Sequence, residues 1–319
     1  AAPWPYRRSA AGSLCHCQEH CAVAAQRARV GVRAAPPRSY GTPVARLLLK
    51  TCHAPAAPRL TAAAVGPKAA VVAAAGELSQ DREAVLAGQD VLVNLSGILH
   101  ESRRQSFHDV HVEWPSSGTL AAHKAGLSQV LHMSALRADM ENPPSAYLRS
   151  KAAGESAVID HASGMTIQIF RPSIIFGEGD NFFGQFASLL RWVPVFPLVC
   201  PNSRFAPVWV EDVASAFANA LGRPGVEGPA ETYHLCGPRS YRFRELIEFT
   251  AEKLDKRRLI IGVPDWIAQL QGRAMECLPN PLFTLDNFYS LQADSTCDCD
   301  DFATLGIEPE SLERVNLSF

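Results

Sequence analysis

From Lys68 onward, short apolar runs alternate with stretches of helical period, the pattern that β-α-β units require. Residues 69–74 predict a strand. Residues 90–95 (DVLVNL) predict another, an unbroken apolar run that suits a strand covered on both faces of a parallel sheet. A short helix is expected over 81–86 between them, and a loop rich in His, Ser and Arg follows. The pattern then predicts a helix over 119–125, a strand over 129–133, a helix over 147–160 after the Pro143-Pro144 turn, and a strand over 165–170 stopped by Arg171-Pro172. Beyond Gly177 the alternation loosens into Pro-rich connections. It returns as a strand over 207–210, a helix over 211–221, a strand over 232–236 and amphipathic helices over 243–254 and 264–278. These elements specify an α/β fold, a doubly wound parallel sheet with a small C-terminal lobe drawn mainly from 178–204 and 237–319.

Residues 1–67 break this pattern, being Ala, Arg, Pro, Cys and His in no clear period. Charge marks the same division: residues 1–76 hold ten Lys/Arg and one acid, Glu19, whereas the remainder holds 20 basic against 31 acidic residues, a net of −11. Two regions are therefore expected, an atypical basic segment over 1–67 and a globular domain over 68–319.

The whole chain of 319 residues carries a net charge of −2, which gives no general attraction to nucleic acid. No apolar run reaches the ~18 residues of a spanning helix, and no secretory h-region opens the sequence, so a cytoplasmic or matrix-side location is expected. Nine cysteines, odd in number and unevenly placed, suit reduced thiols better than a disulfide framework. The run Cys15-His-Cys17-Gln-Glu-His20-Cys21 has soft ligands enough for zinc, but no second paired cluster follows, and no metal site is assigned. Cys297-Asp-Cys299 reads as solvated acidic loop, and His100, His108 and His111 as exposed loop residues.

Catalytic chemistry is concentrated at Tyr147-Leu-Arg-Ser150-Lys151. A four-residue separation places phenol and ammonium on one helix face, where Lys151 would favour phenolate and make Tyr147 a general acid or base. Ser134, directly after the 129–133 strand, could polarise a substrate carbonyl beside it. Asp212 reads as the cap of the helix that follows it.

Together, Asn94-Leu-Ser-Gly97 at the end of a buried strand, His-Met-Ser134, and Tyr147-x-x-Ser150-Lys151 resemble the atypical and extended short-chain dehydrogenase/reductases. Gly97-Ile-Leu-His-Glu101, Ser150-Lys-Ala-Ala-Gly154-Glu155, Phe170-Arg-Pro-Ser-Ile-Ile-Phe-Gly177 and Tyr233-x-Leu-x-Gly237-Pro238 narrow the likeness. They point to the complex I accessory subunit family, alpha-subcomplex subunit nine, and its bacterial epimerase/dehydratase-like relatives. The resemblance implies a Rossmann-like domain binding NAD(P), with NADPH slightly preferred. It implies catalytic roles for Tyr147, Lys151 and Ser134, and cofactor contacts from Asn94, Gly97, Lys151, Arg171, Pro172 and Ser173. Glu77 and Leu78 would lie beside the adenine. It also implies a dinucleotide partner and association with respiratory complex I or another membrane-associated assembly, with cofactor either structural or used in slow redox or epimerase chemistry.

One expected part is missing: no Gly-rich turn in residues 1–67 brings backbone N–H groups to a pyrophosphate. Its absence puts cofactor binding in question and leaves three accounts open. The segment is a mitochondrial presequence, a diverged N-terminal half, or the product of a reading-frame error near Gly76. In the shifted frame Arg7 and Arg8 permit Gly and Cys15 to Cys21 permit a Val/Ile/Ala run, although Ala10 and Ser13 cannot yield the remaining glycines. Three functions remain to be separated: a cofactor-bearing complex I accessory protein, an active oxidoreductase or epimerase, and an interaction module without cofactor. Residues 182–200, apolar and Trp-bearing, are the wall of the C-terminal lobe or, in the third case, a partner surface.

Overall fold

A computed structural model describes residues 61–64, 69–73 and 86–317, apart from 103–104, 222, 224–228, 277–280, 282 and 300. These residues belong to one unit, Pro37–Phe319. The expected helix over 81–86, save its last residue, and all of segment 1–60 lie outside them.

The main sheet has six strands in the order β1-β2-β3-β4-β5-β10. They are β1 (Thr61–Ala64), β2 (Ala69–Ala73), β3 (Val91–Asn94), β4 (Gln129–Met133), β5 (Thr166–Pro172) and, after four short strands, β10 (Glu231–Leu235). All neighbours are parallel except β1, which runs antiparallel to β2. Parallel neighbours need crossovers, and helices provide them. A π-helical turn (Asp109–Glu113) leads into α1 (Trp114–Lys124) between β3 and β4, and α2 (Ala146–His161) joins β4 to β5. Between β5 and β10 come α3 (Asn181–Trp192) and α4 (Val210–Ala220).

Alternate side chains explain why helices lie on both faces. Leu92, Val130, Ile167 and Ile169 pack with Ala121 and Ala122 of α1 and Val158 of α2. Their neighbours Val93, Leu131, Met133 and Phe170 point the other way, onto Val213 and Phe217 of α4. The unbroken apolar run of β3 therefore serves two cores at once, as the pattern predicts.

The short strands pair outside this sheet. β6 (Ile175–Phe176) pairs with β9 (Val208–Trp209), β7 (Val195–Leu198) with β12 (Leu259–Gly262), and β8 (Arg204–Phe205) with β11 (Tyr241–Arg242). With α3, α5 (Phe243–Lys253), α6 (Asp265–Met275) and α7 (Leu285–Leu291), they enclose a third core built on Phe183, Leu190, Phe196, Phe243 and Phe288. Most of the apolar stretch 182–200 is thus lobe interior, although Trp192 at the end of α3 is 83% exposed. A short helix, α8 (Asp301–Thr304), packs beside β10.

Four expectations need correction. α1 starts at Trp114 rather than Thr119, because Pro115 sits in its first turn, where its missing N–H costs no hydrogen bond. β5 runs through Arg171 and Pro172, ending beside Leu235, because a proline at the last strand position forfeits little of the ladder. Asp212 is not a cap: α4 begins at Val210, and the buried Asp212 accepts the Glu310 N–H at 2.7 Å. Cys236 and Cys297 form a disulfide with Cα atoms 5.9 Å apart, tying the end of β10 to the loop before α8, so Cys297 and the half-buried Cys299 are not open acidic loop.

Candidate functional site

The C-terminal ends of β3, β4 and β5 and the first turns of α2 meet at one place. Ser145 caps α2, its hydroxyl accepting the Leu148 N–H at 3.2 Å. The cap fixes where the helix starts, and so places Tyr147 in the first turn with Lys151 one turn later. Lys151 is 4% exposed, and its Nζ donates to the carbonyls of Ser96 and Met133, each at 3.2 Å, bridging the ends of β3 and β4. Ser134 follows β4 directly. Its hydroxyl is buried and has no hydrogen-bond partner among the described residues, although its backbone N–H is satisfied by Phe170.

Asn94 closes β3. Its Oδ1 accepts from the backbone and hydroxyl of Ser96, at 3.1 and 2.7 Å, which turns its amide nitrogen to His132 Nδ1 at 2.9 Å. His132 Nδ1 therefore accepts and Nε2 carries the proton, buried without a partner among the described residues. Gly97 is required by closeness to the lysine: a Cβ there would stand 3.2 Å from Lys151 Nζ and 3.8 Å from His111 Nε2.

His111, expected to be exposed, is 2% exposed instead. The π-helical turn that carries it packs against α2, where the Gly154 Cα abuts the His111 carbonyl so closely that a Cβ would overlap it. Its Nε2 accepts the Ile98 N–H at 3.0 Å, so Nδ1 holds the proton and donates to Ser150 Oγ at 2.7 Å. Ser150 passes the bond on to the Tyr147 carbonyl at 2.7 Å. The ring of Tyr147 meets His111 edge to face at 5.5 Å between centroids. Burial, followed by the nearby Lys151 charge, pushes His111 down to about 2 and His132 down to about 3, so both imidazoles are neutral. His100 and His108 are exposed as expected.

Of the predicted site residues, Asn94, Gly97, Ser134, Tyr147 and Lys151 come together here. Arg171 and Ser173 have their side chains engaged within the protein. The Arg171 guanidinium is held by Glu155, at 2.9 and 2.5 Å, and by Asp139 at 2.9 Å, while Ser173 Oγ donates to the Ser295 carbonyl at 2.8 Å. Pro172 is buried and accepts the Leu136 N–H at 3.1 Å. Glu77 and Leu78 lie outside the described residues.

The C-terminal lobe reaches this site through residues that no local pattern marks. Asp286, in the first turn of α7, accepts the N–H groups of Ala146 and Tyr147 at 2.6 and 3.0 Å. These are orphan donors at a helix N-terminus, and a carboxylate satisfies them while complementing the helix dipole. Asn287 Nδ2 donates to the Leu99 carbonyl at 3.3 Å, fastening the same lobe to the loop after β3.

Solved structures with the same architecture include gox2253, with a TM-score of 0.58 at 19% identity over 85% of this chain and 90% of that one. Another is the NADPH-dependent quinone oxidoreductase QOR2 of Escherichia coli, solved with NADPH, with a TM-score of 0.54 at 18% identity over 72% of this chain and 76% of that one. The likeness places the chain in a Rossmann-like α/β fold, a mixed α/β domain around a largely parallel sheet. Residues 134–262 match the RmlD substrate binding domain family. Among curated proteins, the chain is 31% identical to the NADH dehydrogenase [ubiquinone] 1 alpha subcomplex subunit 9 of Rattus norvegicus over 229 residues, 70% of this chain. It is 30% identical to a ceramide reductase of Caulobacter vibrioides over 178 residues, 56% of this chain and 54% of that one. The match spans 59% of the length of the rat relative. Curated relatives thus include subunits of the mitochondrial NADH dehydrogenase, complex I, and no described helix is long and apolar enough to cross a membrane.

Proposed function

We propose that this chain binds a nicotinamide dinucleotide, NADPH in preference to NADH, at the ends of β3, β4 and β5, as an accessory subunit of a respiratory complex I-type assembly. In this reading the cofactor is mainly a structural element. The observation that carries it is Lys151, an ammonium held at the junction of two central strands beside Ser134 and one helical turn from Tyr147. An unsatisfied buried hydroxyl costs about 1–3 kcal/mol, and Ser134 fits a polar group arriving at that position. Lys151, Tyr147 and Ser134 would hold the nicotinamide half, with Asn94 and Gly97 shaping the floor. Arg171 and Ser173, tied up internally, would contribute backbone only. Complex I membership rests on the relatives, and a location on the matrix side, or its bacterial cytoplasmic equivalent, goes with it.

The second reading is an active reductase or epimerase, favoured by the grouping of Tyr147, Lys151 and Ser134, the three candidate catalytic side chains. A bound nicotinamide supplies hydride transfer. For its part, the protein would move a proton at the Tyr147 phenol and polarise a substrate oxygen from Ser134 Oγ, with the dipole of α2 and the Lys151 charge favouring phenolate. Comparing Tyr147→Phe with wild type in dinucleotide binding and in turnover of carbonyl substrates separates the two. Binding kept in both proteins with no turnover in either supports the structural role; turnover lost only in the variant supports catalysis. No dinucleotide binding by the wild-type chain would leave the interaction module.

A further inference from the structure

Away from the Tyr147 site, the edge strand β10, the segment before α8 and the first residue of α8 bring three metal-ligating groups of different chemistry together. His234 Nδ1 lies 3.1 Å from Asp301 Oδ2; Cys299 Sγ lies 3.6 Å from that oxygen and 4.0 Å from the imidazole nitrogen. All three ligand atoms fall within 4.8 Å of one another. A tetrahedral ion with bonds of about 2.0 Å to N and O and about 2.3 Å to S has ligand edges of about 3.3–3.6 Å, close to these separations. We propose that His234, Cys299 and Asp301 bind a zinc-class divalent ion, with a fourth position open to solvent.

Three further features of the structure support this. The donor set of one thiolate, one imidazole and one carboxylate is borderline-soft, which suits zinc and its cobalt surrogate and disfavours calcium or magnesium. The ligand arms are pre-positioned: the Cys236–Cys297 disulfide lies two residues from His234 on one strand and two from Cys299 on the other segment. The His234 backbone N–H also donates to Asp301 Oδ2 at 2.7 Å, holding the carboxylate while leaving it a lone pair. Finally, the other imidazole nitrogen, Nε2, faces Asp139 at 3.5 Å, and Asp139 is itself anchored by Arg171 at 2.9 Å. A carboxylate behind a ligating histidine fixes its ring and raises its basicity.

The same groups could instead persist without metal, as an imidazolium between two carboxylates, and the experiment must separate these states. The full chain also carries the thiols and imidazoles of residues 15–21, so the readout is the difference between proteins. Metal-free, disulfide-intact wild type, Cys299→Ser and His234→Gln are titrated with zinc, and with cobalt for its thiolate charge-transfer band. Wild type is expected to take up one equivalent more than either variant, and Cys299→Ser to lose one thiolate's share of the band. Asp139→Asn should keep the stoichiometry and weaken affinity about 10–100-fold. Equal zinc uptake in wild type and Cys299→Ser, with melting temperatures matched in chelator, would overturn the proposal. Should His234→Gln fail to fold, Cys299→Ser decides alone.

Discussion

Asp286 holds the backbone N–H of Tyr147 at 3.0 Å, so the helix bearing the candidate acid/base is anchored by a carboxylate 139 residues away in the C-terminal lobe. Tyr147 is therefore positioned from two sides, by Ser145 within its own helix and by the lobe that would close over a substrate.

Replacing Asp286 with Ala should cost about 1–3 kcal/mol, since charge-assisted bonds to two helix donors are lost. Urea denaturation measures this directly. Asp286→Asn should lose less, because an amide oxygen can still accept one of the two bonds. Equal stability in Asp286→Ala and wild type would show that water replaces the carboxylate at no cost.

Gly154→Ala should destabilise by about 1–3 kcal/mol, because its methyl would overlap the His111 carbonyl and force α2 away from the π-helical turn. Gly184→Ala, in α3 with nothing near its missing Cβ, should be neutral or stabilise by up to about 1 kcal/mol. Thermal melts of the two variants therefore move in opposite directions, and a matched response would remove the case for close packing at Gly154.

The pH dependence of stability follows from shifts of opposite sign. His111 and His132 have folded values of about 2 and about 3, below the ordinary 6.5. Their contribution is complete above pH 6.5 and is lost as pH falls, the unfolded chain binding the extra protons. Burial raises Asp180 and Asp212 to about 6, above the ordinary carboxylate value, so their contribution is complete near pH 4 and lost as pH rises through 6. The two pairs oppose each other between about pH 4 and 6, which predicts a flat stability profile there. Below it, Asp139 adds a further loss, its carboxyl held down to about 2 by its bond to His234 and the Arg171 charge. In the metal-free protein, stability should decline above pH 6.5 as His234, raised to about 11 by Asp139 and Asp301, approaches deprotonation. Asp212→Asn removes one compensating group and should steepen the fall between pH 6 and 4; parallel melting curves for variant and wild type would refute this balance.

Much of the sheet was legible because its signals are local. β4 has its predicted bounds, 129–133, and α2 (Ala146–His161) extends the expected helix by one residue at each end, since apolar runs and a Pro-Pro turn punctuate both. The Tyr147, Lys151, Ser134, Asn94 and Gly97 grouping was legible through spacing and resemblance. Three features were not. Asp286 and Asn287 act over more than a hundred residues, and a capping carboxylate looks like any other acid in the sequence. His111 sits in a polar stretch that reads as surface, and it is buried by tertiary packing of its turn against α2, with Tyr147 and Ser150 beside the ring and Gly154 against its carbonyl. The Cys236–Cys297 pair spans 61 residues, and nine cysteines give no unique partner assignment.

The most direct test is a titration of NADPH and NADH against the full chain, its gene verified by sequencing through residues 1–67, alongside Lys151→Ala with folding checked by circular dichroism. The account predicts saturable binding by wild type, tighter for NADPH, and a loss of about tenfold or more in the variant, the effect of one buried charged hydrogen-bonding group. Equal affinity in the two proteins, or no binding by wild type, would contradict it.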